Sequence, residues 1–161
     1  MGKNKKHNLA IILFQPEIPP NTGNIIRLCA NTGTDLHLVK PLGFPLQDSK
    51  LKRAGLDYHE YANITVHEDW FNCHKYFFDR RILAIETCGD KYYHQIEYKS
   101  DDALLFGSET KGLPQYVIDD IGGENIFRLP MLSGQRSLNL SNSVAVVIYQ
   151  AWSKLGFIGG L

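Results

Sequence analysis

The sequence contains few cysteines and no cysteine motif. Its three cysteines, Cys29, Cys73 and Cys88, are odd in number and show no CxxC spacing. A disulfide framework and a cysteine-ligated zinc site are therefore not indicated. This pattern is typical of a reducing compartment, and we expect a cytoplasmic protein.

Long hydrophobic runs and an excess of one charge are also missing. The apolar run Leu9–Phe14, which follows a basic N-terminus, is too short for a signal-peptide core or a membrane span. We therefore expect no membrane partner. The 17 basic and 17 acidic side chains cancel, so no overall field attracts nucleic acid. A nucleic-acid partner would contact a local patch, although each candidate patch also fits a solvated face: Lys3, Lys5 and Lys6; Lys50, Lys52 and Arg53; Arg80 and Arg81.

Several catalytic motifs do not occur. The sequence has no GxGxxG dinucleotide fingerprint, no HExxH pair and no GxSxG elbow. The segment "GSETKG" has the glycine spacing of a Walker loop, but Leu113 stands where that loop needs a lysine. Asp57 and Glu60 fit the role of surface charges better than that of catalytic groups. We expect no metal site, because no paired ligand spacing links His59, His67, His74 and His94.

The composition is that of an ordinary globular protein. Apolar residues make up 43% of the 161 residues and charged residues 21%. A chain of this length buries most of its apolar surface in one core. We expect a single domain over residues 1–161, with residues 1–8 as a flexible N-terminal extension.

Short apolar runs alternate with segments of helical periodicity. Continuous apolar runs of this length are typical of strands buried on both faces. The runs predict six strands, at Leu9–Phe14, Leu36–Val39, Ile64–His67, Ile82–Glu86, Ala103–Gly107 and Asn125–Leu129. Helices are predicted from an Asn21 cap to Gly33, over "DSKLKRAGL", and at Asp69–Phe78, Leu113–Ile121 and Asn142–Leu155. This order predicts an α/β fold with a mostly parallel sheet, helices on both faces, and a ligand site beyond the carboxyl ends of the strands.

Three loops at those carboxyl ends carry unusual residues: "PPNTGN", "GSETKG" and "PMLSGQRSLNLSN". In the helix after the first loop, Asn24, Arg27 and Asn31 share a face opposite the apolar stripe. Arg27 therefore fits either an anion or ribose contact or a solvated arginine. Gly107 stands where a strand leaves the sheet, and glycine there lets the backbone approach a flat ligand.

The segment "RSLNLSNSVAVVIYQAW" joins a polar loop to an apolar helix. Ser141 or Asn142 is the predicted cap, which leaves other amides and hydroxyls for a bound polar ligand or for a loop that hydrogen-bonds itself. The helix shows a narrow polar face of Ser143, Gln150 and Lys154. So broad an apolar surface needs two partners, the sheet and the same helix of a second subunit.

Six motifs together resemble one family. They are "PEIPPNTGNIIRLCANTG", "PLGF", "AGLDYHEY", "FGSETKGLP", "RLPM" and "RSLNLSNSVAV". They are similar to the tRNA (cytidine(34)-2'-O)-methyltransferase family of the SPOUT superfamily of RNA methyltransferases. The resemblance implies a deep trefoil knot in the C-terminal half and a homodimer formed through the C-terminal helix. It also implies the anticodon stem-loop of tRNA as the partner.

The resemblance further implies a cofactor and a set of site residues. The methyl donor is S-adenosylmethionine, which leaves as S-adenosylhomocysteine, and the acceptor is the ribose 2'-hydroxyl of the wobble nucleotide. The implied cofactor contacts are Ile85, Gly107, Leu129, Met131, Ser137 and Leu138. The implied catalytic positions are Arg27, Asn21, Ser137 and Asn139.

Arg27 is assigned in this family to the 2'-hydroxyl. A guanidinium has a pKa above 12, so we interpret Arg27 as orienting the ribose or the adjacent phosphate. Two alternatives remain open. The target is another tRNA position or ribosomal RNA, or the chain is a nucleotide-binding module without catalysis.

Overall fold

A parallel sheet forms the centre of the molecule. The computed structural model describes residues 6–46 and 63–161. Within these ranges the sheet has seven strands in the order β3-β2-β1-β6-β4-β7-β5, and every neighbouring pair is parallel. The strands are β1 (Ala10–Phe14), β2 (Asp35–Val39), β3 (Ile64–His67), β4 (Ile82–Ile85), β5 (Lys91–Tyr92), β6 (Ala103–Phe106) and β7 (Ile126–Arg128).

The predicted six strands are all present, but the count of six is wrong. The additional strand, β5, has two exposed residues, Lys91 and Tyr92. It pairs with Phe127 and Arg128 of β7 at the edge of the sheet. A two-residue exposed strand has no apolar run, so hydrophobic periodicity does not reveal it.

Four α-helices cover the sheet in the described residues: α1 (Pro19–Thr32), α2 (Trp70–Tyr76), α3 (Gln115–Ile121) and α4 (Leu140–Lys154). Two short 3-10 helices, Tyr93–Gln95 and Gly123–Asn125, lie in the same described ranges. The basic helix predicted over "DSKLKRAGL", with the charged residues Asp57 and Glu60 after it, lies outside the described residues. None of the helices that the structure describes has the length and apolarity needed to cross a membrane.

The helices lie on both faces of the sheet, as predicted. On one face α1 and α4 bury Ile25 and Val147 against strand residues such as Leu38 and Leu104. On the other face α2 and α3 bury a second cluster that includes Trp70. Every residue of β1 and β6 is buried, which explains why these strands read as continuous apolar runs.

Two predicted helix caps differ from the structure. Helix α1 begins at Pro19 after Ile18, without a side-chain cap, so the prediction of Asn21 as the cap is wrong. Two prolines begin this helix because their fixed φ suits the first turn and their missing N–H groups are not needed there. At the other end Gly33 ends the helix, as predicted, and it does so with a left-handed φ of 72°.

Helix α4 begins two to three residues earlier than predicted. The capping residue is Asn139, whose side-chain oxygen accepts hydrogen bonds from the backbone N–H groups of Ser141 and Asn142 at 2.9 and 3.3 Å. The prediction of Ser141 or Asn142 as the cap is therefore wrong. Ser143, predicted on the polar face, is buried and donates its hydroxyl to the carbonyl of Asn139 at 3.1 Å. Serine in the first turn bonds back to the cap and needs no solvent.

The N-terminal residues that the structure describes are held against the fold. The buried His7 lies 2.8 Å, Nε2 to oxygen, from the carbonyl of Thr32. Arg80 donates to the carbonyl oxygens of Asn8 and Asp101. Arg81 forms a two-point ion pair with the fully buried Asp102 at 2.7 and 2.8 Å. Arg80 and Arg81 therefore hold neighbouring segments of the chain together.

Candidate active site

A cavity of about 470 Å³ opens at the carboxyl ends of β4, β6 and β7. Small organic ligands occupy pockets of about 300 to 1,000 Å³. The walls come from the segments after these strands, residues 86–87, 107–112 and 129–139, and from the start of α1 and α4. The cavity therefore lies where the sheet topology predicts a ligand site.

All six predicted cofactor contacts line this cavity. They are Ile85, Gly107, Leu129, Met131, Ser137 and Leu138. Three of the four predicted catalytic residues, Asn21, Ser137 and Asn139, line it, and Ser137 belongs to both predicted sets. The structure brings together residues separated by more than a hundred positions in the chain.

Gly107 is required by a close backbone approach. A Cβ added there would lie 2.3 Å from the carbonyl carbon of Gly112 and 2.5 Å from the nitrogen of Leu113. The loop folds back on itself through a bridge between Ser108 and Gly112, whose N–H donates to the Ser108 carbonyl at 3.0 Å. No side chain fits at position 107 without opening this loop.

Glu86 holds the same loop from the β4 side, a role that sequence reasoning missed. Its Oε2 accepts the backbone N–H of Leu113 at 2.9 Å, and its Oε1 accepts that of Thr87 at 3.0 Å. The carboxylate lies so close to Gly112 that an added Cβ there would be 2.8 Å away. The sequence signal for this role is a carboxylate directly after a buried strand.

Glu109 joins the second loop to the start of α1. Its carboxylate accepts the backbone N–H groups of Glu17 and Ile18 at 2.8 and 3.1 Å and the side-chain amide of Asn21 at 3.3 Å. A negative charge at a helix N-terminus is stabilised by the helix dipole. Its partners are about 90 residues away in the chain, so the sequence gives no local signal for this contact.

A second acidic contact strengthens this connection. The carboxylate of Glu17 accepts the Thr110 hydroxyl at 2.7 Å. The pKa of Glu17 is lowered below its usual value, mainly by this hydrogen bond and next by one from Ser108. Glu17, just before α1, therefore bonds to the second loop, and Glu109 of the second loop bonds to the segment before α1.

Asn21 and Asn139 connect the first loop with the third. The side-chain amide of Asn139 donates to the side-chain oxygen of Asn21 at 3.0 Å. A continuous hydrogen-bonded series therefore runs from Glu109 through Asn21 to Asn139 and the first turn of α4. Some polar groups of the third loop therefore bond to other groups of the protein, as expected for a loop that hydrogen-bonds itself.

Other polar positions of the site are exposed. Arg27 lies with Asn24 and Asn31 on the exposed face of α1, as predicted, and its side chain does not line the cavity. Ser137 and Arg136 are exposed in the segment before α4, and of these two only Ser137 lines the cavity. Arg27 is therefore not part of the cavity wall.

A buried histidine pair lies away from the cavity. His37 Nδ1 and His67 Nε2 are 2.9 Å apart, and the two rings stack. Burial, the neighbouring His67 and Arg80 lower the pKa of His37 to about 3. A neutral imidazole in an aromatic cluster fits a structural role. Within residues 6–46 and 63–161, no three His, Cys, Asp or Glu side chains group as metal ligands would.

Comparison with known proteins identifies the family. A family model described as the SpoU rRNA Methylase family matches residues 8–149. The chain belongs to this family. The match includes all three loops of the cavity and most of α4.

Relatives of this SpoU family member cover nearly the whole chain. A protein of Methylovorus glucosotrophus named tRNA (cytidine(34)-2'-O)-methyltransferase is 57% identical over 151 residues, which are 94% of this chain and 98% of that protein. A solved structure described as giving structural insights into the 2-OH methylation of C/U34 on tRNA has a TM-score of 0.88 and 38% identity. It covers 94% of this chain and 98% of its own.

A more distant structure shares the fold. AviRb of Streptomyces viridochromogenes, a SpoU methyltransferase solved in complex with the cofactor AdoMet, has a TM-score of 0.83 at 19% identity. The match covers 98% of this chain and 60% of AviRb. The likeness to these methyltransferases implies the knotted α/β fold that the sequence resemblance predicted.

Proposed function

We propose that this protein methylates the ribose 2'-hydroxyl of the wobble nucleotide of tRNA, cytidine or modified uridine at position 34, with S-adenosylmethionine as the donor. The observation that carries the proposal is the cavity formed by the three loops at the carboxyl ends of the strands. The chain matches a protein named tRNA (cytidine(34)-2'-O)-methyltransferase over 94% of its own length and 98% of that protein's.

The cavity fits such a donor by size and by chemistry. Its volume of about 470 Å³ is in the range of small-ligand pockets. Gly107 has no side chain to obstruct the backbone there, and the walls combine apolar residues with hydroxyl and amide groups. When bound, S-adenosylmethionine supplies an electrophilic methyl group on sulfur and leaves as S-adenosylhomocysteine.

The cavity residues have distinct tasks in this proposal. Ile85 at the end of β4 and Leu129 after β7 offer apolar side chains to a flat ring. Met131 and Leu138 extend this apolar wall, and the Ser137 hydroxyl would bind a polar group of the donor. Together they would hold the donor in one orientation, and alignment of the reacting groups supplies much of the rate enhancement in a transfer reaction.

Arg27 presents the acceptor. Its guanidinium offers several N–H donors in a fixed plane, which suits a ribose hydroxyl or the adjacent phosphate. Asn21 and Asn139 hold the starts of α1 and α4 together. They therefore position Arg27, two turns further along α1, relative to the cavity.

We also propose that the protein acts as a homodimer formed through α4. Val146 and Tyr149 on this helix are 41% and 45% exposed, although the helix as a whole is apolar. A two-fold contact buries the same patch on both subunits. Because α1 packs beside α4 on the same face of the sheet, this contact places Arg27 near the boundary between subunits.

The proposed partner is the anticodon stem-loop of tRNA. The proposed location of the reaction is the cytoplasm. The chain carries no net charge, so a local surface around the cavity has to receive the RNA. Lys111 and Arg128 line the cavity and offer positive charge there.

Substitution of Arg27 tests the assignment of the acceptor site. Arg27→Ala is expected to fold normally and bind S-adenosylhomocysteine like the wild type, because Arg27 lies outside the cavity, but to lose methyl transfer by about 100-fold or more. Transfer of labelled methyl groups from S-adenosylmethionine to tRNA measures this. Lys75→Ala, which removes an exposed cation on the opposite face of the sheet, is the control. Near wild-type transfer by Arg27→Ala would remove Arg27 from the mechanism.

A further inference from the structure

A second cavity, of about 200 Å³, adjoins the first. The two share Thr87, Arg128, Leu129 and Met131 in their walls. Tyr92 of β5 contributes to the second cavity and not to the first. A group bound in the smaller cavity would therefore contact the surroundings of the donor site directly.

Tyr92 and Arg128 form a cation–π platform at this cavity. They are directly opposite each other in the β5–β7 pairing, and the guanidinium carbon of Arg128 lies 5.2 Å from the centre of the Tyr92 ring. Tyr92 is 38% exposed, and Arg128 is exposed as well. A guanidinium placed over an aromatic ring still offers its plane and N–H groups to a third flat partner.

The platform is held in place by backbone contacts. A Cβ added at Gly89 would lie 2.6 Å from the carbonyl carbon of Phe127, so the turn before β5 packs tightly on β7. The backbone N–H of Tyr92 donates to the side chain of Gln95 at 2.7 Å. Stacking on a preformed platform costs little conformational entropy.

The remaining walls favour a nucleobase. Pro130, Met131 and Leu132 supply apolar surface, and Thr87 and Gln135 supply polar groups for ring edges. No carboxylate lines this cavity in the described part of the chain, so a neighbouring RNA phosphate meets no repulsion. Leu132 is 83% exposed, which leaves one side of the cavity open to a large partner.

We propose that this cavity receives an unpaired nucleobase of the RNA substrate, stacked on the Arg128–Tyr92 platform next to the methylated nucleotide. This inference rests on the proposed function and adds a base-binding subsite to it. The adenine of the methyl donor is also a flat aromatic base. The test therefore has to separate binding of an RNA base from binding of the donor.

Two binding measurements separate them. The first is the fluorescence anisotropy of a labelled tRNA anticodon stem-loop without donor, and the second is calorimetric titration with S-adenosylhomocysteine. Base stacking on an aromatic side chain contributes about 1 to 3 kcal/mol, which corresponds to about 5- to 150-fold in affinity. Tyr92→Ala, whose ring lines only the second cavity, is expected to weaken RNA binding within this range and to leave binding of S-adenosylhomocysteine unchanged. Arg128→Ala is expected to weaken RNA binding to a similar extent.

Conservative variants and a control exclude a general loss of structure. Tyr92→Phe keeps the ring and is expected to bind RNA like the wild type, whereas Arg128→Lys loses the guanidinium plane and is expected to bind weakly. Phe78→Ala removes another exposed aromatic ring, at the end of α2, and is expected to change nothing. Unchanged RNA affinity in Tyr92→Ala overturns the inference, as does weaker binding of S-adenosylhomocysteine. Wild-type transfer to nucleotide 34 is measured in parallel, because its absence contradicts the proposed function instead.

Discussion

At the scale of single residues, Gly107 has the most constrained position in the cavity. The loop after β6 returns so closely that a Cβ at this position would overlap the backbone of Gly112 and Leu113. The sequence indicated a glycine at the end of a strand, and the structure supplies the reason. The absence of a side chain lets one loop close on itself beside the proposed donor.

Gly107→Ala is expected to open this loop and weaken binding of S-adenosylhomocysteine by about tenfold or more, equal to about 1.4 kcal/mol. Isothermal titration calorimetry measures the affinity. Gly123→Ala is a matched control, because a Cβ there would meet no atom within 4 Å. Equal affinity in the Gly107 and Gly123 variants would show that the loop tolerates a side chain.

Two acidic residues of the site show what the sequence does not reveal. Glu86 and Glu109 direct their carboxylates at backbone N–H groups and hold the loops in place. In the sequence they look like ordinary surface charges, because their partners are distant in the chain. Gly107 and Arg27 were identifiable because glycine after a strand and arginine on a polar helix face are local signals.

At the scale of elements, the start of α4 combines two tasks. Asn139 caps the helix with its side-chain oxygen and holds Asn21 with its side-chain amide. The helix and the loop before it are thereby fixed to the start of α1. The order of the cavity depends on this junction.

Asn139→Ala is expected to lower the free energy of unfolding by about 1 to 2 kcal/mol through loss of the cap, and to reduce methyl transfer. Asn139→Asp keeps the cap oxygen but lacks the amide donor to Asn21. It is expected to restore stability without restoring the full rate. Urea unfolding and methyl-transfer assays measure the two effects. Asn142→Ala, which changes an exposed side chain of the same turn, is the control.

Should Asn139→Asp be as active as the wild type, the contact with Asn21 would have no role in catalysis. Should Asn139→Ala be fully stable, the cap would contribute nothing to the fold.

Long apolar elements were predictable, and short or polar ones were not. The buried runs of β1 and β6 led directly to the parallel sheet, because both faces of each strand are covered. The strand β5 was missed because its stability comes from pairing with β7 and not from apolar burial. The cap of α4 was misplaced because several neighbouring polar residues are equally good caps by type. The start of α1 was misplaced because this helix begins at two prolines without any side-chain cap.

At the scale of the whole molecule, the resemblance supplied what periodicity could not. Alternating strands and helices predict a doubly covered parallel sheet, but not the path of the chain between strands. The knot follows from the likeness to solved methyltransferases, and knots are otherwise nearly absent from proteins. The cavity follows from this path, since the segment before α4 lies beside the ends of β4 and β6.

The proposed dimer makes a prediction at this scale. Val146→Asp combined with Tyr149→Asp is expected to give a monomer, because a charge in the apolar contact is not compensated. The same variant is expected to lose methyl transfer, since Arg27 lies near the proposed subunit boundary. Light scattering coupled to size exclusion measures the mass. Phe71→Asp, which alters an exposed aromatic residue of α2, is expected to remain dimeric. A monomeric wild type, or a dimeric double variant, would contradict the interface.

The most direct test of the central claim is mass spectrometry of tRNA fragments before and after incubation with the protein and S-adenosylmethionine. The account predicts a gain of one methyl group on the ribose of nucleotide 34 and on no other nucleotide. Methylation at a different tRNA position, methylation of ribosomal RNA alone, or unmodified RNA despite bound donor would contradict it.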